Sequence, residues 1–271
     1  MRQNLHTHTL QCDGKNTPDE MALRAIELGF DSLGYSSHAK TKFNTDWELG
    51  CTENEYVSKI KELKAKYIDE IDIFLGVELD YYSAGFMSCK EYDYFIGSVH
   101  MTVEDGALVD FDLSYESSLK YIRESYGGDS DRFVRAYYEK VAEMPSVMDY
   151  DIVGHFDLVT KFSEKHPDLI DLDSLKYKSY ALEALHAVRE RRELFEINTG
   201  AIGRGYKKTP YPAPFILDEM KKLNCKLILT SDCHNKDFLD AGFDEALEYI
   251  RARGFDSLVY LTDGGFIEEK I

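Results

Sequence analysis

Short apolar or β-branched runs alternate with helix-forming stretches along almost the whole chain, and metal-ligand residue types stand at the ends of those runs. The runs Arg2–His6, Ser32–Ser36, Ile71–Glu78, Tyr94–Val99, Asp151–His155, Leu194–Asn198, Lys226–Ser231 and Ser257–Leu261 read as strands. Between them, Thr17-Pro18-Asp19-Glu20 is a capping box with proline in the first helical turn, and Gly29 closes that helix. Glu53–Tyr67, Asp131–Glu143, Lys178–Glu193, Pro214–Leu223 and Asp244–Arg253 read as further helices. Strands alternating with helices imply βαβ units and a parallel sheet. Seven or eight such units in 271 residues favour a closed (β/α) barrel of one domain, residues 1–271, over an open sheet. The rhythm lapses between Val99 and Asp131, so residues 101–130 are expected to be a long active-site loop or a small insertion.

Charge and apolar patterning narrow the partners. Lys+Arg 32 against Asp+Glu 50 leaves −18, a surface that repels phosphate backbones and argues against nucleic acid. No apolar run is long enough for a membrane span. Met1-Arg2-Gln3-Asn4-Leu5-His6 lacks the apolar segment of a signal peptide. The five cysteines (Cys12, Cys51, Cys89, Cys225 and Cys233) form no C-x-x-C pair, so reduced thiols in a cytoplasmic setting are expected.

The histidines carry the functional signal. His6 and His8 end the first run as His-x-His, and residues two apart on a strand share a face. His38 follows the second run, Glu78 ends the third, His100 follows the fourth, and His155 ends the fifth. Asp232 and His234 follow the seventh as Asp-x-His. In a (β/α) barrel every one of these positions opens on the C-terminal rim, where active sites are built. One histidine after a strand is ordinarily structural; six, with two carboxylates, predict a metal cluster. Imidazole and carboxylate donors suit zinc, iron or manganese. His166 and His186, and likewise Cys12, Cys51, Cys89 and Cys225, read as surface or helix-face residues without a role in the site. Cys233 should alternate away from the ligands, and Asp157 either orients a ligand or caps a turn.

His6-Thr7-His8-Thr9, Ser37-His38, Gly76-Val77-Glu78, Ser98-Val99-His100, Gly154-His155 and Ser231-Asp232-Cys233-His234, in this order, resemble the polymerase-and-histidinol-phosphatase (PHP) family of metal-dependent phosphoesterases. The resemblance implies a distorted, TIM-like (β/α)7 barrel with three divalent metals at its rim. It implies a first metal held by His6, His8, Glu78 and Asp232, and a second by Glu78, His100 and His155. A third would use Asp13, His38 and His234. The stretch Glu196-Ile197-Asn198-Thr199-Gly200, then Arg204 and Tyr211-Pro212, is similar to the family's stand-alone branch, which acts on histidinol phosphate. The expected activity is therefore hydrolysis of L-histidinol phosphate to L-histidinol and phosphate, by water activated on the metals. Asp232, His234 and Glu78 are the expected catalytic groups, with His8 an alternative to His234 for moving protons, and Arg204 and Lys161 the phosphate contacts. Specificity is expected from carboxylates and tyrosines after His100. The alternative is another phosphoesterase of this family, acting on nucleotides, phosphodiesters or phosphotyrosine. The expected partner is a small phosphorylated molecule, and the expected assembly a monomer or small homo-oligomer.

Overall fold

The computed structural model describes residues 1–83, 85 and 91–271; Cys89 lies outside them. The first half runs β1 (Gln3–Asn4), α1 (Pro18–Glu27), β2 (Ser32–Tyr35), α2 (Glu53–Lys66), β3 (Asp72–Asp80) and β4 (Tyr94–Ser98). Both early helices open on capping boxes: Thr17 with Glu20, and Thr52 with Glu55. Each satisfies two orphan N–H groups with side chains three residues apart. A short hairpin of β5 (Met101–Glu104) and β6 (Ala107–Asp110) follows, then α3 (Tyr115–Ser125) and α4 (Ser130–Val147). The chain continues through β7 (Ile152–Val153), α5 (Leu175–Arg189), β8 (Leu194–Asn198), α6 (Gly200–Gly203), α7 (Pro214–Lys222), β9 (Lys226–Thr230) and α8 (Phe243–Arg251). It ends on β10 (Ser257–Thr262) and β11 (Gly265–Lys270).

Seven strands form one parallel sheet in the order β1-β2-β3-β4-β7-β8-β9. The sheet closes at one end: Thr7 bridges Cys233 in parallel, and the His8 N–H donates to the Cys233 carbonyl at 2.9 Å. At the other end the Gln3 amide accepts from the Leu261 N–H at 2.9 Å and donates to the Leu261 carbonyl at 2.8 Å. Strand β10 thereby fills the gap between β1 and β9. The result is the distorted, TIM-like barrel of seven staves that the sequence implies.

The barrel interior holds Leu5, Phe74, Tyr94, Ile96, Ile152, Leu194 and Ile228, with Val259 and Leu261 from β10. Tyr94 crosses this core and donates its hydroxyl to the Leu5 carbonyl. Gly34 and Gly76 border its ring so closely that a Cβ on either would overlap it. The helices cover the outside through a second, larger apolar cluster.

One expectation is corrected. The eighth strand candidate, Ser257–Leu261, is not a barrel stave; it pairs antiparallel with β11 across the two-residue Asp263-Gly264 loop. Asp-Gly between alternating residues is a hairpin signal, and it makes this strand turn back instead of crossing over. Residues 101–130, expected as a long loop or a small insertion, contain the hairpin β5–β6 and helix α3. The hairpin turn, Asp105-Gly106, has positive φ at both residues (49° and 82°), as a tight hairpin requires. The insertion is anchored on α4, with Phe111 4.9 Å from Phe133 and 5.1 Å from Tyr137 between ring centres.

Candidate metal centre

The closing bridge of the barrel joins the middle residues of the two richest motifs. Thr7 and Cys233 face away, so His6 and His8 from one strand end meet Asp232 and His234 from the other. A second isolated bridge, His38 to Glu78, extends β2 and β3 to the same rim. Closing the barrel and gathering the ligands are thus one event.

Glu78 lies at the centre and is buried. Its Oε2 stands 2.9 Å from His38 Nδ1, 3.1 Å from His6 Nε2 and 3.4 Å from His8 Nε2. Its Oε1 stands 3.0 Å from His155 Nε2 and 3.3 Å from His100 Nε2. Asp232 Oδ1 is 3.2 Å from His8 Nε2 and 3.6 Å from His6 Nε2. Asp13 brings Oδ2 to 3.1 Å from His234 Nε2 and Oδ1 to 3.7 Å from His38 Nε2. All nine residues expected as ligands from the sequence therefore converge. The grouping differs in detail from the implied one: His38 approaches both Glu78 and Asp13, and His8 lies near Asp13 as well as Asp232.

These donors fit divalent ions. Atoms bound to one tetrahedral ion at about 2.0–2.2 Å lie about 3.3 Å apart, which is the spacing seen here. His6 Nε2, His8 Nε2, His38 Nδ1 and Glu78 Oε2 are buried and have no hydrogen-bond partner. Lone pairs gathered this tightly in a dry site are costly unless a cation lies among them. The electrostatics agree. Burial favours a neutral Glu78, but His6, His100 and His38 overcome it and hold its carboxyl well below the usual range. Burial likewise acts on His6, yet Glu196, Glu78 and Asp232 outweigh it and raise its affinity for positive charge. His8 is the exception: burial, His234 and His38 push it down to about 3, leaving a neutral imidazole ready to ligate.

Outer contacts fix which nitrogen faces inward. Glu196 Oε1 sits 2.6 Å from His6 Nδ1, so that nitrogen carries the proton and Nε2 is left as the donor. Its Oε2 accepts the His155 N–H at 2.9 Å and the Asn198 amide at 3.0 Å. Asp80 Oδ2 accepts the His100 N–H at 2.9 Å and stands 3.3 Å from Nδ1. Sequence reasoning missed both carboxylates as parts of the site. The signal was present for Glu196, a charged residue inside the apolar run Leu194–Asn198, where an unpaired carboxylate would be expensive; Asp80 is the last residue of β3, two beyond the run read from the sequence. Glu196→Gln is expected to lower metal affinity by about 10- to 100-fold, read by titration with a chelator of known affinity.

The remaining expectations resolve simply. Cys233 is buried with the apolar core and its thiol is pushed up to about 12 by burial, so it packs as expected. Regular strand alternation is not the reason, because Asp232 has φ of 44°, in the left-handed region. Asp157 is buried and accepts the Ala213 N–H at 2.9 Å, so it anchors the stretch after Tyr211-Pro212. His166 stacks on Tyr115, and His186 pairs with Glu219 on the surface.

Above the cluster lies a cavity of about 330 Å³ whose walls include Trp47, Asp110, Asp112, Leu113 and Arg204. The Arg204 guanidinium donates to Asp232 Oδ2 at 3.1 Å while still facing the cavity. Lys161 stands one layer back: its ammonium donates to Asp112 Oδ1 at 2.5 Å and to the Asp112 carbonyl at 3.1 Å. Trp47 rests its ring 4.8 Å from His38 and 5.4 Å from His100. Such a site can hold cations below, an anion beside Arg204, and an organic group against Trp47.

The PHP domain model matches residues 4–200. The probable histidinol-phosphatase of Schizosaccharomyces pombe is 25% identical over 281 residues, covering 96% of this chain and 89% of the relative. The probable histidinol-phosphatase of Deinococcus radiodurans is 27% identical over 262 residues, covering 92% of each. A crystal structure of histidinol phosphate phosphatase from Lactococcus lactis, complexed with zinc, L-histidinol and phosphate, matches with a TM-score of 0.75 at 20% identity over 98% of each chain. That last likeness is one of fold.

Proposed function

The chain belongs to the PHP domain family, and from that membership we propose that it is a metal-dependent phosphomonoesterase converting L-histidinol phosphate to L-histidinol and phosphate. One observation carries the reading: nine nitrogen and oxygen ligand residues meet at the barrel rim, with Arg204 beside them. The names of the relatives support the choice of substrate.

In this reading His6, His8, Glu78 and Asp232 hold one divalent ion, Glu78, His100 and His155 a second, and Asp13, His38 and His234 a third. Zinc, iron and manganese all suit the donor set. Such ions supply Lewis acidity, neutralising phosphoryl oxygens and making water acidic enough to attack near neutral pH. The protein does the rest. Glu78 keeps the two halves of the ligand set in register through its two oxygens. Arg204 binds a phosphoryl oxygen with the N–H groups that Asp232 leaves free. Asp232, held at Oδ2 by Arg204, takes the proton of the attacking water at Oδ1. His234 is positioned at Nδ1, 3.1 Å from the Asp232 carbonyl and 3.3 Å from Arg204, so that Nε2 turns towards Asp13; it acts as a ligand there and leaves the proton to Asp232. As the new P–O bond forms, the ester P–O bond breaks and the departing alcohol takes a proton. Lys161 acts on phosphate through Asp112 rather than by contact, since Asp112 stands between it and the cavity.

The same reading places all of this in a single domain, residues 1–271, with the insertion 101–130 forming one wall of the active site. It also takes the substrate to be a small phosphoester rather than nucleic acid, which suits a chain of net charge −18. Among the described residues no helix is long and apolar enough to cross a membrane. Cys12, Cys51, Cys225 and Cys233 are free thiols, in keeping with a reducing cytoplasm.

The test is phosphate release from L-histidinol phosphate, a nucleoside monophosphate and a phosphotyrosine peptide, with metal content measured on the same sample. Histidinol phosphate is expected to have the highest kcat/KM; preference for either of the others would replace the proposed substrate. Arg204→Ala should raise KM by about 10- to 100-fold, the loss of one charged hydrogen bond, and unchanged kinetics would remove Arg204 from the site.

A further inference from the structure

Between the ligand residue His38 and helix α2 the chain makes a loop that both leaves from and returns to the metal centre. At its start the Ala39 N–H donates to the Glu78 carbonyl at 2.8 Å, and at its end the Leu49 N–H donates back to the His38 carbonyl at 3.0 Å. The Gly50 N–H then donates to the Gln11 carbonyl at 2.8 Å, on the stretch that runs from His8 to Asp13. The middle of the loop rests on the turn Tyr81–Ser83, where the rings of Phe43 and Tyr82 stand 5.0 Å apart. The Tyr82 N–H in turn donates to Asp80 Oδ1 at 2.8 Å.

One carboxylate ties this loop together from inside. Glu48 is buried, and its Oε1 accepts the Thr41 hydroxyl at 2.5 Å, the Thr45 N–H at 3.0 Å and the Thr45 hydroxyl at 3.1 Å. The Thr41 hydroxyl accepts the Phe43 N–H at 3.1 Å. Charge-assisted bonds of this kind give a segment without helix or strand a fixed shape. The residue beside the clasp is Trp47, the only tryptophan of the chain. Its ring lies 4.8 Å from His38 and 5.4 Å from His100, two imidazoles that the proposed grouping assigns to different ions. The ligand set is open to solvent where Asp13, His38, His100 and His234 line the cavity, and Trp47 narrows that opening over His38 and His100.

We propose that Glu48 is a positioning residue that holds Trp47 as a cover on His38 and His100 and so slows the exchange of metal with solvent. The inference rests on the metal-centre reading above and adds a side chain that touches neither metal nor substrate. A ligand leaves an ion when water takes its place and its ring turns away. An indole packed on two ligating imidazoles obstructs both movements, because the shell around a metal site controls its access to solvent. Trp47 does this only where the loop places it, and Glu48 fixes the loop on the residues before it.

The experiment mixes zinc-loaded wild type, Glu48→Ala, Glu48→Gln, Trp47→Ala and the double variant of Glu48→Ala with Trp47→Ala with an excess of a coloured zinc chelator. Glu48→Ala is expected to release zinc about 10-fold faster than wild type, and Trp47→Ala at least as fast as Glu48→Ala. Glu48→Gln keeps one acceptor oxygen and should release zinc at a rate between wild type and Glu48→Ala. The double variant should release zinc no faster than Trp47→Ala, because a residue that acts through another adds nothing once that other is gone. Acrylamide should quench Trp47 fluorescence more strongly in Glu48→Ala than in wild type. Where Glu48→Ala does not fold, Glu48→Gln alone and with Trp47→Ala carries the same comparison. Effects that multiply in the double variant, or a wild-type release rate in the Glu48 variants, would overturn the assignment and leave the metal centre standing. Wild type that binds no divalent metal would overturn the metal centre itself, and the covering role of Glu48 with it.

Discussion

Glu78→Ala is expected to strip most of the bound metal and lower phosphatase kcat/KM by about a thousandfold or more, while the barrel stays folded. Its two oxygens face five imidazoles: those of His6, His8 and His38 on one side, and those of His100 and His155 on the other. Removing one partner from a buried charge network costs about 3–5 kcal/mol, and here the loss falls on the ions the network holds. Glu78→Gln separates charge from shape. It fills the same volume, so it should fold as wild type does and still lose metal. Metal content by mass spectrometry and kcat/KM on one preparation check both variants; full occupancy with full turnover in either would end the bridging role of Glu78.

Asp232→Asn is expected to cut kcat by about a hundredfold or more with a far smaller change in fold stability. Asp232 has φ of 44°, a conformation that Asn tolerates as Asp does, so the change removes charge without straining the chain. What it removes is wide-reaching, since Asp232 contacts His6, His8 and His234 through one oxygen and Arg204 through the other. Burial alone would neutralise this group; Arg204, His6 and His8 keep it charged. Arg204→Ala should act chiefly on KM, and the contrast between the two variants separates proton handling from anion binding. Steady-state kinetics with circular dichroism on each variant checks this, and a kcat for Asp232→Asn within tenfold of wild type would remove Asp232 as the proton acceptor.

Much of this centre was legible in the chain because short, continuous apolar runs announce strands buried on both faces, as barrel staves are, and barrel staves announce a shared rim. Leu194–Asn198 forms a strand with the expected bounds, and every expected ligand lies at a strand end or on the rim beside it. The departures have one physical source. Local patterning shows that a segment is a strand, whereas its pairing partner is set by the turn that follows. Asp263-Gly264 turns the strand candidate Ser257–Leu261 into a hairpin that fills the gap between β1 and β9, and Asp105-Gly106 folds the start of 101–130 into another that walls the cavity. The part Glu196 and Asp80 play in the site escaped sequence reasoning for a related reason, although Glu196 stood in a motif: each acts on a histidine distant in sequence or across the barrel, His6 190 residues away and His100 20 residues away. Lys161 shows the same limit from the other side. Its charge was visible in sequence, but its capture by Asp112 belongs to the folded insertion.

The central claim is that the rim side chains hold divalent cations between Glu78 and the imidazoles around it. Crystals of the metal-loaded protein, with anomalous data collected on both sides of the absorption edge of the metal found, test this most directly. The account predicts anomalous peaks about 2.0–2.3 Å from both Glu78 oxygens and from nitrogens of His6, His8, His100 and His155. Glu78 in direct hydrogen bonds to those imidazoles, with no anomalous scatterer between them in fully active protein, would contradict it.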